Sequence, residues 1–216
     1  MGDTKVEVPF LDNTIGLVGE FIKMAFGQAV SEFGEGLRDH VKLWRLKNQI
    51  TIIEKAACIA KEAGLKTKQI NYKALAPLLE GIGLEEEPTL QNMWANLLVN
   101  YVDANKNLTF VVYPDILRQL STEEVNILKR ASDEHGRVWT RGTVSSQYTQ
   151  LASEIINNLE RLGLISDELD IKVKMKKDRY SSEDKFNPVV EQQPSNKFEL
   201  THFCYNFLDA CNREEK

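Results

Sequence analysis

Near its end the chain reads Asn158-Leu159-Glu160-Arg161-Leu162-Gly163-Leu164-Ile165, where a helical stretch closes on a glycine. Residues 169–175 then alternate: Leu169, Ile171, Val173 and Met175 are apolar, while Asp170, Lys172 and Lys174 are charged. That is the period of a half-buried strand. Residues 176–196 are polar and contain Pro188 and Pro194, which predicts a flexible wing tip. A return strand is expected over 198–201 and a last helix over 202–212. Helix, strand, wing, strand and helix in that order read as a winged helix, a fold that grips DNA or docks onto other proteins.

The rest of the chain carries helical spacing. Apolar residues at Ile15, Val18, Ile22, Ala25, Ala29, Phe33, Leu37, Val41 and Trp44 recur every three or four positions, predicting a long helix or two in line over 10–63. Glycines at 16, 19, 27, 34 and 36 interrupt it, and Ala63-Gly64 stops it. A short helix is expected over 69–80, ending near Gly81 and Gly83. Glu85-Glu86-Glu87-Pro88 leads into a core helix on which Leu90, Met93, Trp94, Leu97, Leu98 and Tyr101 share a face. Ser121-Thr122-Glu123-Glu124 is a capping box opening a helix. Ser145 or Ser146 is expected to cap the helix that closes at Leu162. The fold class expected is therefore mainly α. A helical domain over 1–113 would precede a winged-helix-like domain over 114–216 that carries a small β-hairpin.

The net charge of −5 argues against a protein that coats nucleic acid along its whole surface. Three cysteines, Cys58, Cys204 and Cys211, are odd in number and widely spread, so no disulfide framework is implied and a reducing cytoplasm is the expected location. The first residues lack a basic segment followed by an apolar core, the mark of a secretory signal. The longest uncharged run in the N-terminal third is the eight residues Met24 to Ser31, against the about 20 that span a bilayer, so no conventional transmembrane segment is expected.

Several blocks carry a resemblance. They are Leu43-Trp44-Arg45-Leu46-Lys47-Asn48, Ala76-Pro77-Leu78-Leu79-Glu80-Gly81, and Glu85-Glu86-Glu87-Pro88-Thr89-Leu90-Gln91-Asn92-Met93-Trp94-Ala95-Asn96-Leu97-Leu98. The closing Leu200-Thr201-His202-Phe203-Cys204-Tyr205-Asn206-Phe207 joins them, with Cys204 where a glycine is expected. Together they resemble the Abi-alpha family, also catalogued as a domain of unknown function. The resemblance implies bacterial abortive infection, in which an infected cell shuts itself down, and brings no catalytic residues with it.

Each candidate site has a plainer reading beside it. For DNA, the wing offers Lys172, Lys174, Lys176, Lys177 and Arg179, and Arg137 and Arg141 precede the recognition helix. That helix itself begins Ser145, Ser146, Gln147, Tyr148 and Gln150, without a cation until Arg161, so protein contact is the preferred reading. For a membrane or partner surface, Ile15, Val18, Phe21, Ile22 and Phe26 make an apolar face. Lys23 is the sole base between Lys5 and Arg38, so packing against protein is preferred there too. His202, Cys204 and Cys211 invite zinc, but no fourth ligand follows, and buried structural cysteines are the expectation. Glu85-Glu86-Glu87 reads as a favourable helix start, and Asn96 and Asn100 read as core polar groups. There is no phosphate loop, nucleophile elbow or metalloprotease motif. The expectation is a non-enzymatic cytoplasmic defence protein without cofactor, metal or small-molecule substrate, acting through a protein partner or self-association. A DNA-binding regulator and a membrane-acting effector stand as the alternatives.

Overall fold

The computed structural model describes Phe21 and residues 40–106, 108–133, 139–177 and 186–213. Helices dominate, with one small antiparallel sheet. In chain order the elements are α1 (His40–Glu62), α2 (Tyr72–Leu84), α3 (Pro88–Val102), α4 (Val112–Leu117), α5 (Thr122–Asp133), β1 (Trp139–Thr140), α6 (Arg141–Tyr148), a 3-10 turn (Thr149–Leu151), α7 (Ala152–Arg161), β2 (Ile165–Lys177), β3 (Phe186–Leu200) and α8 (His202–Cys211). The glycine-interrupted stretch expected to be helical up to residue 39 lies outside the described residues except for Phe21, which is buried. Among the described residues no helix is long and apolar enough to cross a membrane. The chain forms two compact units, one up to Thr122 together with Phe207 onward, the other Glu123–Asn206.

In the first unit α1 packs against α2 and α3. Ile52, Ile53, Leu78, Ile82, Trp94, Leu97 and Leu98 are fully buried there. Helix α1 stops where the sequence predicts. Gly64 takes a left-handed φ of 57°, Gly64 N–H bonds the Lys61 carbonyl at 3.0 Å, and Leu65 N–H reaches back to Ala60 at 3.1 Å. That pair of bonds satisfies carbonyls a helix end leaves bare. Helix α2 departs from expectation: it begins at Tyr72, capped by Asn71 accepting from Lys73 N–H at 3.0 Å, and runs past Gly81 and Gly83 to Leu84. The glycines do not end it. A Cβ at Gly81 would fall inside the Trp94 ring, so this glycine is a packing requirement within the helix.

Polar side chains stitch these helices together. Gln49 donates to the Leu79 carbonyl at 2.8 Å, and Lys55 donates to Gln91 and Asn92 at 3.1 and 2.9 Å. The end of α8 is held on α3 by a buried network. Asn100 donates to the Ala210 carbonyl at 2.7 Å, while Arg213 donates to Asn100 and to Asp103, each at 3.2 Å. Asp103 also accepts from Asn105 N–H at 2.9 Å, so its carboxylate is ringed by donors. Phe207 meets Tyr113 edge-on at 5.8 Å.

In the second unit the sheet order is β1-β3-β2, all antiparallel. Helix α7 turns Ala152, Ile155, Ile156 and Leu159 inward. It closes at Gly163, φ 70°, with Gly163 N–H on Glu160 at 2.9 Å and Leu164 N–H on Leu159 at 3.0 Å. Leu159 and Leu164, both fully buried, supply the apolar contact that accompanies this closure. Thr201 ties the next helix to that turn. Its N–H and hydroxyl donate to Leu164 and Gly163 carbonyls at 3.0 and 2.6 Å, and its hydroxyl accepts from Cys204 N–H at 3.1 Å.

Two expectations are corrected here. The helix expected from Ser145 or Ser146 is instead two helices joined by a 3-10 turn. Thr140 accepts from Thr143 N–H at 3.0 Å and starts α6 at Arg141, leaving Ser145 and Ser146 inside it. The wing tip expected over 176–196 is largely strand, and the return strand begins at Phe186. Pro188 and Pro194 are tolerated because β3 pairs with β1 only at Lys197 and Phe198; among the described residues its second edge is otherwise unladdered.

Candidate functional site

The long β2–β3 ladder gives the second unit its most distinctive surface. It runs from Ile165 opposite Leu200 to Lys177 opposite Phe186, with a register irregularity between Asp167 and Leu169. The alternation over 169–175 predicts a strand with one side buried. Ile171, Val173 and Met175 are instead exposed, at 64%, 63% and 60%. The periodicity is right and the burial is not, because no described element covers that face of the ribbon.

Of the basic residues expected to meet DNA, Arg141, Lys174 and Lys176 are engaged with acids. Lys174 pairs with Glu191 at 2.6 Å and Lys176 with the same carboxylate at 3.4 Å. The hydrogen bond and charge of Lys174, aided by Lys176, hold Glu191 below the usual carboxylate range. Lys172 is exposed on the same strand, Lys177 closes that strand, and Arg137 and Arg179 lie outside the described residues. Arg141 bonds both oxygens of Asp167, at 2.7 and 2.9 Å, and also Glu160. Burial acts to lower its pKa, but the Asp167 hydrogen bond and the two carboxylate charges outweigh that and raise it. Its cation is thus committed within the unit. The side chains α7 leaves in water include Ser153, Glu154, Asn157 and Arg161, one acid against one base.

The other candidates resolve into structural roles. Glu85 accepts from Glu87 N–H at 2.9 Å ahead of α3, and Glu86 accepts from the Trp44 indole. Asn100 belongs to the buried network around Asp103. Cys204 is buried, which pushes its thiol up to about 12, and His202 two residues before it is exposed. Among the described residues no three metal-binding side chains gather. Of the apolar face proposed for a membrane, Phe21 is buried, and Ile15, Val18, Ile22 and Phe26 lie outside the described residues.

A hollow of about 180 Å³ opens in the first unit beside Gln69, Asn71, Tyr101 and Thr109. Two of its rim donors are used internally. The Lys68 ammonium donates to the Lys106 carbonyl at 2.5 Å, and the Tyr101 hydroxyl donates to Phe110. Burial first, then the charges of Cys211, Tyr113 and Asp115, raise the pKa of Tyr101, so this phenol stays protonated.

Sequence reading missed Arg141 with Glu160 and Asp167, and Arg213 with Asp103. No local spacing marks either, since each pair closes over a long stretch of chain.

The sequence pattern that defines abortive infection alpha proteins matches residues 39–211. The chain belongs to the abortive infection alpha family. The match begins just before α1 and ends with α8, so it takes in α1 to α8 and the sheet. Comparison with curated proteins and with solved structures found no match. Family membership therefore supplies the setting, abortive infection, and leaves residue roles to be argued from the geometry.

Proposed function

We propose that the protein takes part in bacterial antiphage defence of the abortive-infection type, in the cytoplasm, acting non-enzymatically by binding other proteins. Family membership over residues 39–211 is the observation that carries the defence reading. The second unit supports the protein-contact reading. We read its order of helix, strand, two helices and two long strands, with sheet order β1-β3-β2, as a winged helix that serves as a docking scaffold. DNA binding draws on several uncommitted cations beside the recognition helix. Arg141 is held by two acids, Lys174 and Lys176 share Glu191, and α7 presents a balanced face, so we rank protein contact ahead of DNA.

Expression in a phage-sensitive bacterium, with and without infection, tests the defence reading. The expected result is a reduced phage yield, with arrest or death of infected cells. Infected cells that lyse and release phage as an empty-vector control does would overturn it. Salt-dependent DNA affinity, lost on combined charge reversal of Lys174, Lys176 and Lys177, would replace protein contact with DNA binding.

A further inference from the structure

In the sheet order β1-β3-β2, strand β2 is laddered to β3 on one side, and among the described residues no strand lies on its other side. The outer edge of β3 is taken by β1 at Lys197 and Phe198 and carries Pro188 and Pro194, which have no N–H to give. Strand β2 holds no proline over residues 165–177, so its open edge keeps its donors. A proline is tolerated where its nitrogen faces out of the ladder, so Pro188 and its partner Met175 direct their backbone groups away from each other. Pro194, opposite Leu169, has the same parity. Alternation then aims the N–H and C=O of Ile171, Val173 and Met175 out of the open edge, and those of Lys172, Lys174 and Lys176 toward β3.

Charge selects what can lie there. Lys172, Lys174 and Lys176 are exposed and share one face. Over residues 171–176 of β2 and their partners the one carboxylate is Glu191, which Lys174 and Lys176 share. Lys172 forms no ion pair among the described residues. Exposed Ile171, Val173 and Met175 alternate with the lysines, and Lys177 and Gln192 fall at their parity.

We propose that the open edge of β2 takes up an extended acidic segment of a partner protein as a further strand, one that alternates carboxylate and apolar side chains. Main-chain hydrogen bonds to Ile171, Val173 and Met175 supply the affinity, and the alternating side chains supply the selectivity. Incoming residues opposite Lys172, Lys174 and Lys176 lie on the lysine face, about 5 Å away between Cβ atoms, where carboxylates gain and basic side chains lose. Those opposite Ile171, Val173 and Met175 widen the apolar side. Lysines on an edge strand discourage indiscriminate pairing, and an acidic strand is the one these lysines attract. A nucleic-acid backbone fits less well, because Glu191 stands among the lysines and phosphate offers no donor to the outward carbonyls. The proposal rests on the protein-contact reading and names its partner class.

Fluorescence anisotropy of a labelled peptide alternating Glu and Val, about nine residues long to span 169–177, tests it against the purified full chain. Saturable binding below millimolar concentration is expected, with slowed amide exchange at Ile171, Val173 and Met175. A fully N-methylated analogue keeps the charges and loses every main-chain donor, and should bind at least about tenfold more weakly. A peptide alternating Lys and Val should not bind. The combined Lys172→Gln, Lys174→Gln and Lys176→Gln variant should weaken binding about tenfold, the sum of three exposed ion pairs. Val173→Pro removes one outward N–H, leaves the lysines in place, and should also weaken binding; circular dichroism checks that both variants fold. No saturable binding of the Glu–Val peptide overturns the proposal, as does binding that N-methylation or the folded variants leave unchanged. Such a failure without DNA affinity strikes the edge alone, whereas salt-dependent duplex DNA affinity through the same lysines overturns both the proposal and the protein-contact reading.

Discussion

Asp103 and Glu191 each accept from a basic side chain, in surroundings that give the two pairs different weight. Asp103 is 4% exposed at its side chain and Arg213 19%, and the pair is completed by Asn100 and by Asn105 N–H. Glu191 and Lys174 are 28% and 55% exposed. Breaking the first pair strands a buried charge, whereas breaking the second returns both groups to water. The first unit uses ionic groups to hold the last helix in one position. The ribbon carries its pairs on the face of Lys172, Lys174 and Lys176, in water, where they shape a surface more than they add stability.

The largest expected effect contrasts the two regions directly. Trp94→Ala, in the closed core beside Gly81, should destabilise the first unit by about 3–5 kcal/mol in chemical denaturation followed by amide exchange. Val173→Ala, on the open ribbon, should change stability by less than about 0.5 kcal/mol. Similar losses at both sites would break the contrast. Arg213→Ala should cost about 3 kcal/mol by stranding Asp103, and adding Asp103→Asn should recover part of it. A double variant as unstable as the sum of the singles would remove the pair from the account.

Arg141→Ala should cost about 1 kcal/mol, since Glu160 and Asp167 are each part-exposed and solvent screens what remains. The smallest effect is at Glu191, whose pKa is depressed in the folded state. A depressed carboxylate contributes stability above its unfolded pKa and loses it as pH falls through the folded value. Ribbon amide protection should therefore persist until the pH drops below the ordinary carboxylate range. Lys174→Gln should raise the Glu191 titration midpoint seen by carbon NMR, and an unmoved midpoint would dismiss the pairing.

Much of the fold is legible because its signals are short-range. Gly64 and Gly163 announce helix ends, since the closing bonds and the left-handed φ involve only the last turn and its two followers. The Ser121 capping pattern places the start of α5 at Thr122. The alternation over 169–175 gives a strand and its two faces, and the family blocks around Trp94 give membership over residues 39–211. Proline misleads over 186–196, because a sequence does not say which strand edge will lack a neighbour. Gly81 misleads in the same way, since its reason is a tryptophan on the next helix.

The sequence by itself determined helix ends, strand period and family, all carried by neighbouring residues or by composition in blocks. Tertiary structure decided which charges are committed and which apolar face stays open. Arg141 meets Glu160 and Asp167, Arg213 meets Asp103, and Val173 meets water, through contacts between residues far apart in the chain. Charge compensation and burial depend on those contacts, and the chain folds before they exist to be read.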